Sequence, residues 1–220
     1  MSDFFYKSVR FLCAHVFWIS SRPVTHGFEH IPREGACLIA STHTSPYDIS
    51  LLIRHVPRLL DFVSTVEVFS TPLLGWFYGN MNAFPLDRQK PDAPTVRKIL
   101  SRLKRGRAIV MFPEGGFRRG KASVVYSRTI RPGVGRIVKI AKIPVIPAVL
   151  VNTAAYSKPL AWLPFFHTRY AIAFGPPISP DLTPEEIDKA LVEAIVALYE
   201  QIAPKLPENC LLYTSDAADE

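Results

Sequence analysis

Residues 36–48, ACLIASTHTSPYD, join an apolar run to a histidine and an aspartate that lie five positions apart. The run at 36–40 is typical of a buried strand, which places His43 at the strand end and Asp48 one turn further on. A carboxylate there can hold one ring nitrogen of the imidazole, so that the other nitrogen accepts a proton. This stretch therefore predicts a strand that delivers a general base, although from spacing alone a helix-capping aspartate beside a surface histidine is the commoner arrangement.

Strands and helices alternate along the rest of the chain. Predicted strands cover residues 36–42, 61–68, 81–85, 108–112, 145–151 and 169–174, with a short strand and turn at 27–32. Predicted helices cover residues 3–20, 48–55, 71–78, 93–105, 133–142 and 183–202, the last opening on the capping box Thr183 to Glu186. A chain of 220 residues suits one domain. The pattern predicts an α/β fold, a single domain with a mixed, mostly parallel sheet flanked by helices.

The N-terminal segment, residues 1–22, is predicted to be an amphipathic helix with a heavy aromatic load. Its apolar side chains recur at steps of three and four residues, with Lys7 and Arg10 between them. This pattern fits a helix in the membrane interface, and it fits equally a helix packed on the domain. No stretch reaches the ~18 uncharged apolar residues of a spanning helix. No signal peptide is recognisable.

The net charge of +7 suits anionic partners such as lipid headgroups or phosphorylated substrates. Residues 97–107 contain six basic residues and no acidic residue: Arg97, Lys98, Arg102, Lys104, Arg105 and Arg107. They are interpreted as a solvated face that attracts a membrane surface or an acidic acyl carrier, and we favour the membrane. Nucleic acid is not expected as a partner, because the aromatic residues lie elsewhere and no binding motif is present.

No metal site is expected, since the histidines and cysteines lack ligand spacing. Cys13 and Cys37 lie in apolar runs and are predicted to be small core residues. Residues 115–121, GGFRRGK, are one position short of a phosphate-binding loop, and Ala122 stands where such a loop needs Ser or Thr. Residues 210–220 are interpreted as a sequencing-adapter or cloning artefact and are left out of the fold prediction.

Four short segments come at predicted strand ends, where open α/β sheets bind their ligands. They are His43 to Asp48, PLDR at 85–88, FPEG at 112–115 and VIP at 145–147. Their order resembles the glycerolipid acyltransferase family, which includes the lysophosphatidate acyltransferases, over residues 24–180. The chain departs from the family pattern at Thr42, where Asn is usual, and at Gly116 and Phe117, where Thr and Arg are usual. Arg118 then comes one place late.

The resemblance implies a role for each matched residue. His43 would deprotonate an acceptor hydroxyl, and Asp48 would fix its tautomer. Pro147 would line the acyl side. Arg88 and Glu114 would help to hold the acceptor headgroup, with Arg118 in place of the displaced arginine. From their own chemistry, Gly115 and Gly116 let backbone amides approach a ligand closely, so their loop is predicted to be an oxyanion or phosphate cradle at the acceptor site. Arg88 could instead pair with Asp87 or another surface acid, although we favour the acceptor, and Arg119 or Lys121 could supply the displaced charge instead of Arg118. A carboxylate repels phosphate, so Glu114 is expected to orient Arg88 or an acceptor hydroxyl.

The resemblance further implies an O-acyltransferase domain over residues 23–209. It would move a fatty acyl group from acyl-CoA or acyl carrier protein to a lysophospholipid, with 1-acyl-glycerol-3-phosphate as the first choice and phosphatidate as product. One base and oxyanion donors suffice for this chemistry, so no cofactor is expected. The protein would work at the cytoplasmic face of the membrane, peripheral or monotopic. Another lysolipid or glycerol phosphate as acceptor, or a catalytically silent lipid-binding relative, remain alternatives.

Overall fold

The structure is a computed structural model that describes residues 3–86, 93–164, 167–207 and 210. Arg88 and Asp87, which carry one of the acceptor-site predictions, lie outside the described residues, as do residues 211–220 of the interpreted tail. Among the described helices, none combines the length and the apolar character that crossing a bilayer requires.

A mixed sheet forms the centre of the molecule. Its strands, numbered along the chain, are β1 (Val24–His26), β2 (Cys37–Ser41), β3 (Leu60–Thr65), β4 (Ala83–Leu86), β5 (Ala108–Met111), β6 (Val145–Val151) and β7 (Ala171–Phe174). Within the described residues their order across the sheet is β1-β7-β6-β2-β5-β3-β4. All neighbours run parallel except β6 and β7. The prediction of a mixed, mostly parallel sheet is confirmed.

Helices cover both faces of this sheet. They are α1 (Asp3–Ser20), α2 (Tyr47–His55), α3 (Pro72–Asn80), α4 (Ala93–Lys104), α5 (Val124–Ser127), α6 (Val134–Ala141) and α7 (Pro184–Ile202). The first three pack into the core on one face, and α4, α6 and α7 into the core on the other. Helix α7 begins at the predicted capping box, in which the Thr183 hydroxyl accepts from the Glu186 N–H and the Glu186 carboxylate accepts from the Thr183 N–H.

Strand β2 explains why the diagnostic stretch is continuously apolar. Each of its residues is buried, with Cys37 and Ile39 on the α1 face and Leu38 and Ala40 on the α7 face. A central strand covered on both faces needs an unbroken apolar run instead of alternation. Because β2, β5 and β6 are parallel neighbours, their carboxyl ends meet at one edge. The chain segments that leave these three strands are therefore brought together.

The structure corrects the prediction at residues 27–32. The strand lies earlier, at β1, and residues 28–30 form a 3₁₀ turn. Gly27 separates the two with φ 74°, and a Cβ atom there would lie 1.8 Å from the Phe174 carbonyl oxygen. This close approach requires glycine, and the chain turns away from the sheet at this point.

The basic run of α4 is not one solvated face. The buried Asp61 of β3 pairs with Arg102 Nη1 at 2.8 Å and with the guanidinium of Arg107. Arg102 also lies over the Phe84 ring, 4.6 Å from its centroid. Arg102 and Arg107 therefore form ion pairs within the domain. Helix α4 moreover lies on the sheet face opposite α1, so its bases and the aromatic side chains of α1 belong to different surfaces.

His55, at the end of α2, makes the stability of the fold sensitive to acid. Its Nε2 is 2.7 Å from the Tyr170 hydroxyl, to which Arg54 donates. Burial, with a smaller contribution from Arg54, lowers the pKa of His55 to about 3. The unfolded chain takes up this proton near pH 6.5, so the stability from a neutral His55 is present above that pH and is lost as the pH falls toward 3.

We expect wild type to lose about 2 kcal/mol more unfolding free energy than His55→Gln between pH 7 and pH 5. Glutamine can still accept from the Tyr170 hydroxyl but does not titrate. Urea unfolding at the two pH values measures the difference. His15→Gln, which changes an exposed histidine, is the control and should keep the wild-type pH dependence. Equal losses in wild type and His55→Gln would contradict the prediction.

Candidate active site

His43 and Asp48 form a hydrogen-bonded pair at the carboxyl end of β2. His43 Nδ1 lies 2.9 Å from Asp48 Oδ2, and the aspartate side chain is fully buried. An ionised carboxylate only accepts, so a neutral imidazole in this pair donates from Nδ1 and keeps the lone pair of Nε2. Among the described residues, Nε2 has no hydrogen-bond partner. The geometry is that of a general base held in one tautomer.

Asp48 is held by the start of α2 as well as by His43. Its Oδ2 accepts from the backbone N–H groups of Thr44 at 2.7 Å and Ser45 at 2.9 Å. These bonds close the turn between β2 and α2 in which Pro46 precedes the first helical residue, Tyr47. Its second oxygen, Oδ1, accepts from the hydroxyl of Thr153 and lies 3.4 Å from the Ser45 hydroxyl. The five-residue spacing of the sequence is thus the spacing of one tight strand-to-helix turn.

Two phenylalanines enclose the imidazole. The Phe112 ring stacks on His43 with centroids 3.8 Å apart and planes at 10°, and Phe117 contacts it at 4.4 Å. Phe117 is more than half exposed, so it covers the ring at the solvent side. The imidazole therefore has aromatic rings around its faces, and its edge is left for a reacting group.

His43 lies at the wall of an apolar cavity of about 460 Å³. The cavity is on the α1 face of the sheet, and its lining includes Val9 and Cys13 of α1, Ile49 of α2, Phe77 of α3 and Met81. Burial raises the pKa of the Cys13 thiol, so this side chain stays neutral in the apolar lining. The volume falls in the range of small-ligand pockets, about 300–1,000 Å³.

Glu114 faces the protein instead of the site opening. It is only 5% exposed. Its Oε2 accepts from the His43 N–H at 2.6 Å, and its Oε1 accepts from the Val124 N–H at 2.8 Å and from the Ser123 hydroxyl at 3.1 Å. Burial raises the pKa of Glu114, and the hydrogen bonds from Val124 and His43 oppose that rise. The carboxylate therefore ties the loop after β5 to the start of the turn that carries His43. Arg88 lies outside the described residues, so the expected contact of Glu114 with Arg88 stays a prediction.

The two glycines after Glu114 differ in what their N–H groups can do. The Gly115 N–H donates to the Phe112 carbonyl at 2.9 Å and is used within the turn. Gly115 has φ +73°, and a Cβ there would lie 2.5 Å from the Arg131 side chain, so the position needs glycine. Gly116 lines the cavity beside His43, and its N–H has no acceptor among the described residues. Of the predicted cradle, only Gly116 offers a donor to a ligand.

Arg118 lies at a second, small cleft on the other side of the turn. This cleft is lined by Thr42, Thr44, Arg118, Arg119 and neighbouring residues. The Arg118 N–H donates to the His43 carbonyl at 2.8 Å, and Arg119 Nε donates to the Thr44 carbonyl at 2.9 Å. The displaced arginine is thus exposed beside the dyad, where a polar group of a ligand can reach it.

Pro147 lies on the sheet face opposite the apolar cavity. It belongs to β6 directly before Ala148, where the ladder with β7 begins, and its carbonyl accepts from the Gly175 N–H at 2.9 Å. Its ring packs near Gly175 and Leu198 on the α7 face, whereas the apolar cavity is on the α1 face. The alternation of strand side chains turns Pro147 away from the cavity. Its acyl-side role stays a prediction, and Pro147 does not line this cavity.

Thr42 and Thr153 were not predicted as parts of the site. The Thr42 hydroxyl accepts a hydrogen bond from the Leu150 N–H at 2.9 Å and so joins the ends of β2 and β6. In the sequence this position stood out only because Asn is usual there. Thr153 contacts Asp48 from the chain after β6. The signal that could have found Thr153 is its place, a polar residue just beyond the carboxyl end of a central apolar strand.

Comparison with known proteins places this geometry in a family. The family described as Acyltransferase matches residues 22–151, which contain the dyad, Glu114 and both glycines. A 1-acyl-sn-glycerol-3-phosphate acyltransferase of Bacillus subtilis is 26% identical over 186 residues, 82% of this chain and 87% of that protein. One from Streptococcus pneumoniae is 27% identical over 147 residues, 65% of this chain and 53% of that protein.

The fold is also similar to a solved structure. The crystal structure of the 1-acyl-sn-glycerophosphate (LPA) acyltransferase PlsC from Thermotoga maritima superposes with a TM-score of 0.68 at 21% identity, covering 92% of this chain and 81% of that one. This chain belongs to the acyltransferase family.

Proposed function

We propose that the protein transfers a fatty acyl group from an acyl thioester, acyl-CoA or acyl carrier protein, to the free hydroxyl of a lysophospholipid. The acceptor is 1-acyl-sn-glycerol-3-phosphate, and the product is phosphatidate. The observation that carries the proposal is the His43–Asp48 pair at the wall of an apolar cavity, with Arg118 exposed beside the turn that carries the pair. The relatives named for this activity support the choice of acceptor.

In the proposed reaction His43 Nε2 takes the proton of the acceptor hydroxyl as its oxygen attacks the thioester carbon. A tetrahedral intermediate forms, and its oxyanion is within the reach of a donor such as the Gly116 N–H. The C–S bond then breaks, the ester remains on the acceptor, and the imidazolium returns its proton to the thiolate. Asp48 stays ionised and stabilises the imidazolium while it lasts. No covalent enzyme intermediate is needed.

The cavity suits the acyl chain of the donor. Its lining is apolar, and it opens beside the imidazole, so a chain inside it would bring its thioester carbon to the base. Holding the two reacting atoms together can supply several kcal/mol, about 7–11 in favourable cases. The exposed guanidinium of Arg118 suits the phosphate of the acceptor, since it presents a fork of donors to such a group.

The test is free-thiol release from palmitoyl-CoA with and without 1-acyl-sn-glycerol-3-phosphate, together with identification of the lipid product. Acceptor-dependent release with formation of phosphatidate is the expected result. The measurement is repeated with acyl carrier protein as donor and with a panel of other lysolipids. No acceptor-dependent release with any donor and acceptor would overturn the acyltransferase proposal and favour a silent lipid-binding protein.

Arg118→Ala is expected to raise the KM for the acceptor by about tenfold and to change kcat less, because a charge-assisted hydrogen bond to the phosphate is lost in ground and transition state alike. Steady-state kinetics at varied acceptor concentration measures this. Arg128→Ala, a charge change on the loop after α5, is the control. An unchanged KM in Arg118→Ala would exclude Arg118 as a ligand of the acceptor.

Helix α1 has one face in the core and one exposed apolar face. Tyr6 and Phe17 are buried in the core. Phe11, Leu12 and Trp18 are each more than 60% exposed on the other face. Leu73 and Trp76 of the neighbouring α3 are also exposed, and Phe5 joins the two helices through its contact with the Trp76 ring at 5.1 Å. We propose that this α1–α3 surface lies in the membrane interface, which suits a membrane-resident acceptor.

The variant Phe11→Ser/Leu12→Ser/Trp18→Ser is expected to bind vesicles at least about tenfold more weakly than wild type, since each side chain contributes about 1.5–3 kcal/mol when fully buried in an apolar phase. Sedimentation with phosphatidylcholine vesicles containing an anionic lipid measures the binding. Ile140→Ser, an equally exposed apolar residue on the α6 side, is the control. Undiminished binding of the triple variant would contradict the proposed surface.

A further inference from the structure

Thr153 forms the far end of the hydrogen-bond network around the dyad. It is fully buried and lies just beyond β6. Its hydroxyl contacts Asp48 Oδ1, the Ser45 hydroxyl at 2.9 Å and the Thr44 hydroxyl at 3.0 Å. The residue is 105 positions from Asp48 in sequence, so only the fold brings the two together.

The chemistry of the carboxylate fixes the direction of its bond with Thr153. An ionised carboxylate accepts only, so the single hydroxyl proton of Thr153 points to Asp48 Oδ1. A lone pair of Thr153 then accepts from the Thr44 hydroxyl, and the Ser45 hydroxyl can donate to Thr153 or to Oδ1. Ser45 lies 3.4 Å from Oδ1, which leaves Thr153 as the one close donor to that oxygen among the described residues. Such a bond to a charged acceptor is about twice as strong as a neutral one.

The two carboxylate oxygens of Asp48 therefore have different hydrogen-bond partners. Oδ2 is held by His43 and by the backbone of the turn, whereas Oδ1 is held by a side chain from another strand. Thr153 is placed by Asn152, which adopts a left-handed conformation with φ 61° and donates its side-chain N–H to the Arg169 carbonyl at 2.8 Å. Asn is one of the few residues that tolerate this conformation. The end of β6 is thus bent so that the Thr153 hydroxyl faces the carboxylate.

We propose that Thr153 is a positioning residue for the reaction: its hydroxyl holds the Asp48 carboxylate in the rotation that keeps Oδ2 on His43 Nδ1. The proposal rests on the proposed function, because it assigns Thr153 an effect through the His43–Asp48 dyad. Without the hydroxyl, Oδ1 is a buried acceptor without its close donor, and the carboxylate gains by turning toward other donors. Thr153 is not part of the cavity lining, so substrate binding does not depend on it directly.

The experiment compares Thr153→Val, Thr153→Ser and Thr168→Val with wild type in the thiol-release assay. Valine keeps the shape and removes the hydroxyl. We expect Thr153→Val to lower kcat by about 10- to 100-fold with the KM for donor and acceptor within about twofold, and Thr153→Ser to stay within about threefold of wild type. Thr168 is also buried and donates to a backbone carbonyl, Ala161 at 2.9 Å, so Thr168→Val removes an equivalent hydroxyl away from the dyad. It should leave kcat unchanged.

Spectra of ¹⁵N-labelled histidine give a readout independent of turnover. Wild type is expected to hold His43 in the Nδ1–H tautomer, and Thr153→Val to show a mixture of tautomers. Wild-type kinetics in Thr153→Val, or equally low kcat in Thr153→Ser, would overturn the proposal while His43→Ala remains inactive. If His43→Ala is as active as wild type, the proposed function itself fails. If neither Thr153→Val nor Thr153→Ala folds while Thr168→Val does, Thr153 is a residue of the fold and the positioning role is overturned.

Discussion

His43→Ala is expected to lower the kcat of acyl transfer by about 10²–10⁴-fold, the range that a positioned general base contributes. The imidazole is the one group of the dyad that faces the cavity, and Nε2 has no competing hydrogen-bond partner among the described residues. The KM for the acyl donor should change little, because the apolar lining of the cavity remains. Thiol release at saturating palmitoyl-CoA and acceptor measures the loss.

Two controls make this result specific. His15→Ala removes an exposed imidazole from α1 and should keep full kcat. Asp48→Asn keeps His43 but offers an amide where the Nδ1–H needs an acceptor, and it should approach the loss seen in His43→Ala. Thermal unfolding of each variant separates loss of the base from loss of the fold. Activity of His43→Ala within a few-fold of wild type would remove the dyad from the mechanism.

The largest expected loss of stability comes from the pairs of Asp61. Replacing Arg102 and Arg107 together by methionine leaves the carboxylate of Asp61, which is 1% exposed, without its two cations. Removing the partners of a buried charge costs about 3–5 kcal/mol. Methionine keeps much of the apolar stem that packs on Phe84, so the loss is chiefly electrostatic. Urea unfolding at pH 7 measures the change in the free energy of unfolding.

A matched variant separates this local effect from the change in net charge. Lys104→Met/Arg105→Met removes the same charge from exposed positions of the same segment and should change the unfolding free energy by less than about 0.5 kcal/mol per substitution. Adding Asp61→Val to the Arg102→Met/Arg107→Met variant should recover most of the loss, because no buried charge is then left. If Arg102→Met/Arg107→Met is as stable as Lys104→Met/Arg105→Met, the buried carboxylate of Asp61 does not need its two cations and the prediction is contradicted.

Much of the fold follows from local patterns. Helices α1 and α7, the central strands β2, β5 and β6, and the turn from His43 to Asp48 were predictable because apolar periodicity, capping residues and short spacing act within a few residues. The interfacial and packed interpretations of α1 could not be separated in this way. Both faces of α1 are apolar, and only the position of Tyr6 and Phe17 in the core shows which side is covered.

Local patterns do not reveal contacts that join distant parts of the chain. The sequence predicts a solvated basic run at residues 97–107, because Asp61, which pairs with Arg102 and Arg107, lies on strand β3 and no local pattern reveals it. The motif predicts that Glu114 contacts the acceptor. The sequence does not show that its carboxylate accepts hydrogen bonds from the N–H groups of His43 and Val124. Pro147 was assigned to the acyl side although its strand register turns it to the opposite face of the sheet.

The sequence alone specifies the α/β class, the His43–Asp48 pair and the resemblance to the acyltransferase family, since each depends on residues close together along the chain. The tertiary structure decided which oxygen of Asp48 is held by Thr153, that Arg102 and Arg107 pair with Asp61, and that the apolar cavity lies beside His43 on the α1 face. These features depend on strand order and register, which bring Thr153 to Asp48 across 105 positions and are set by the packing of the whole domain.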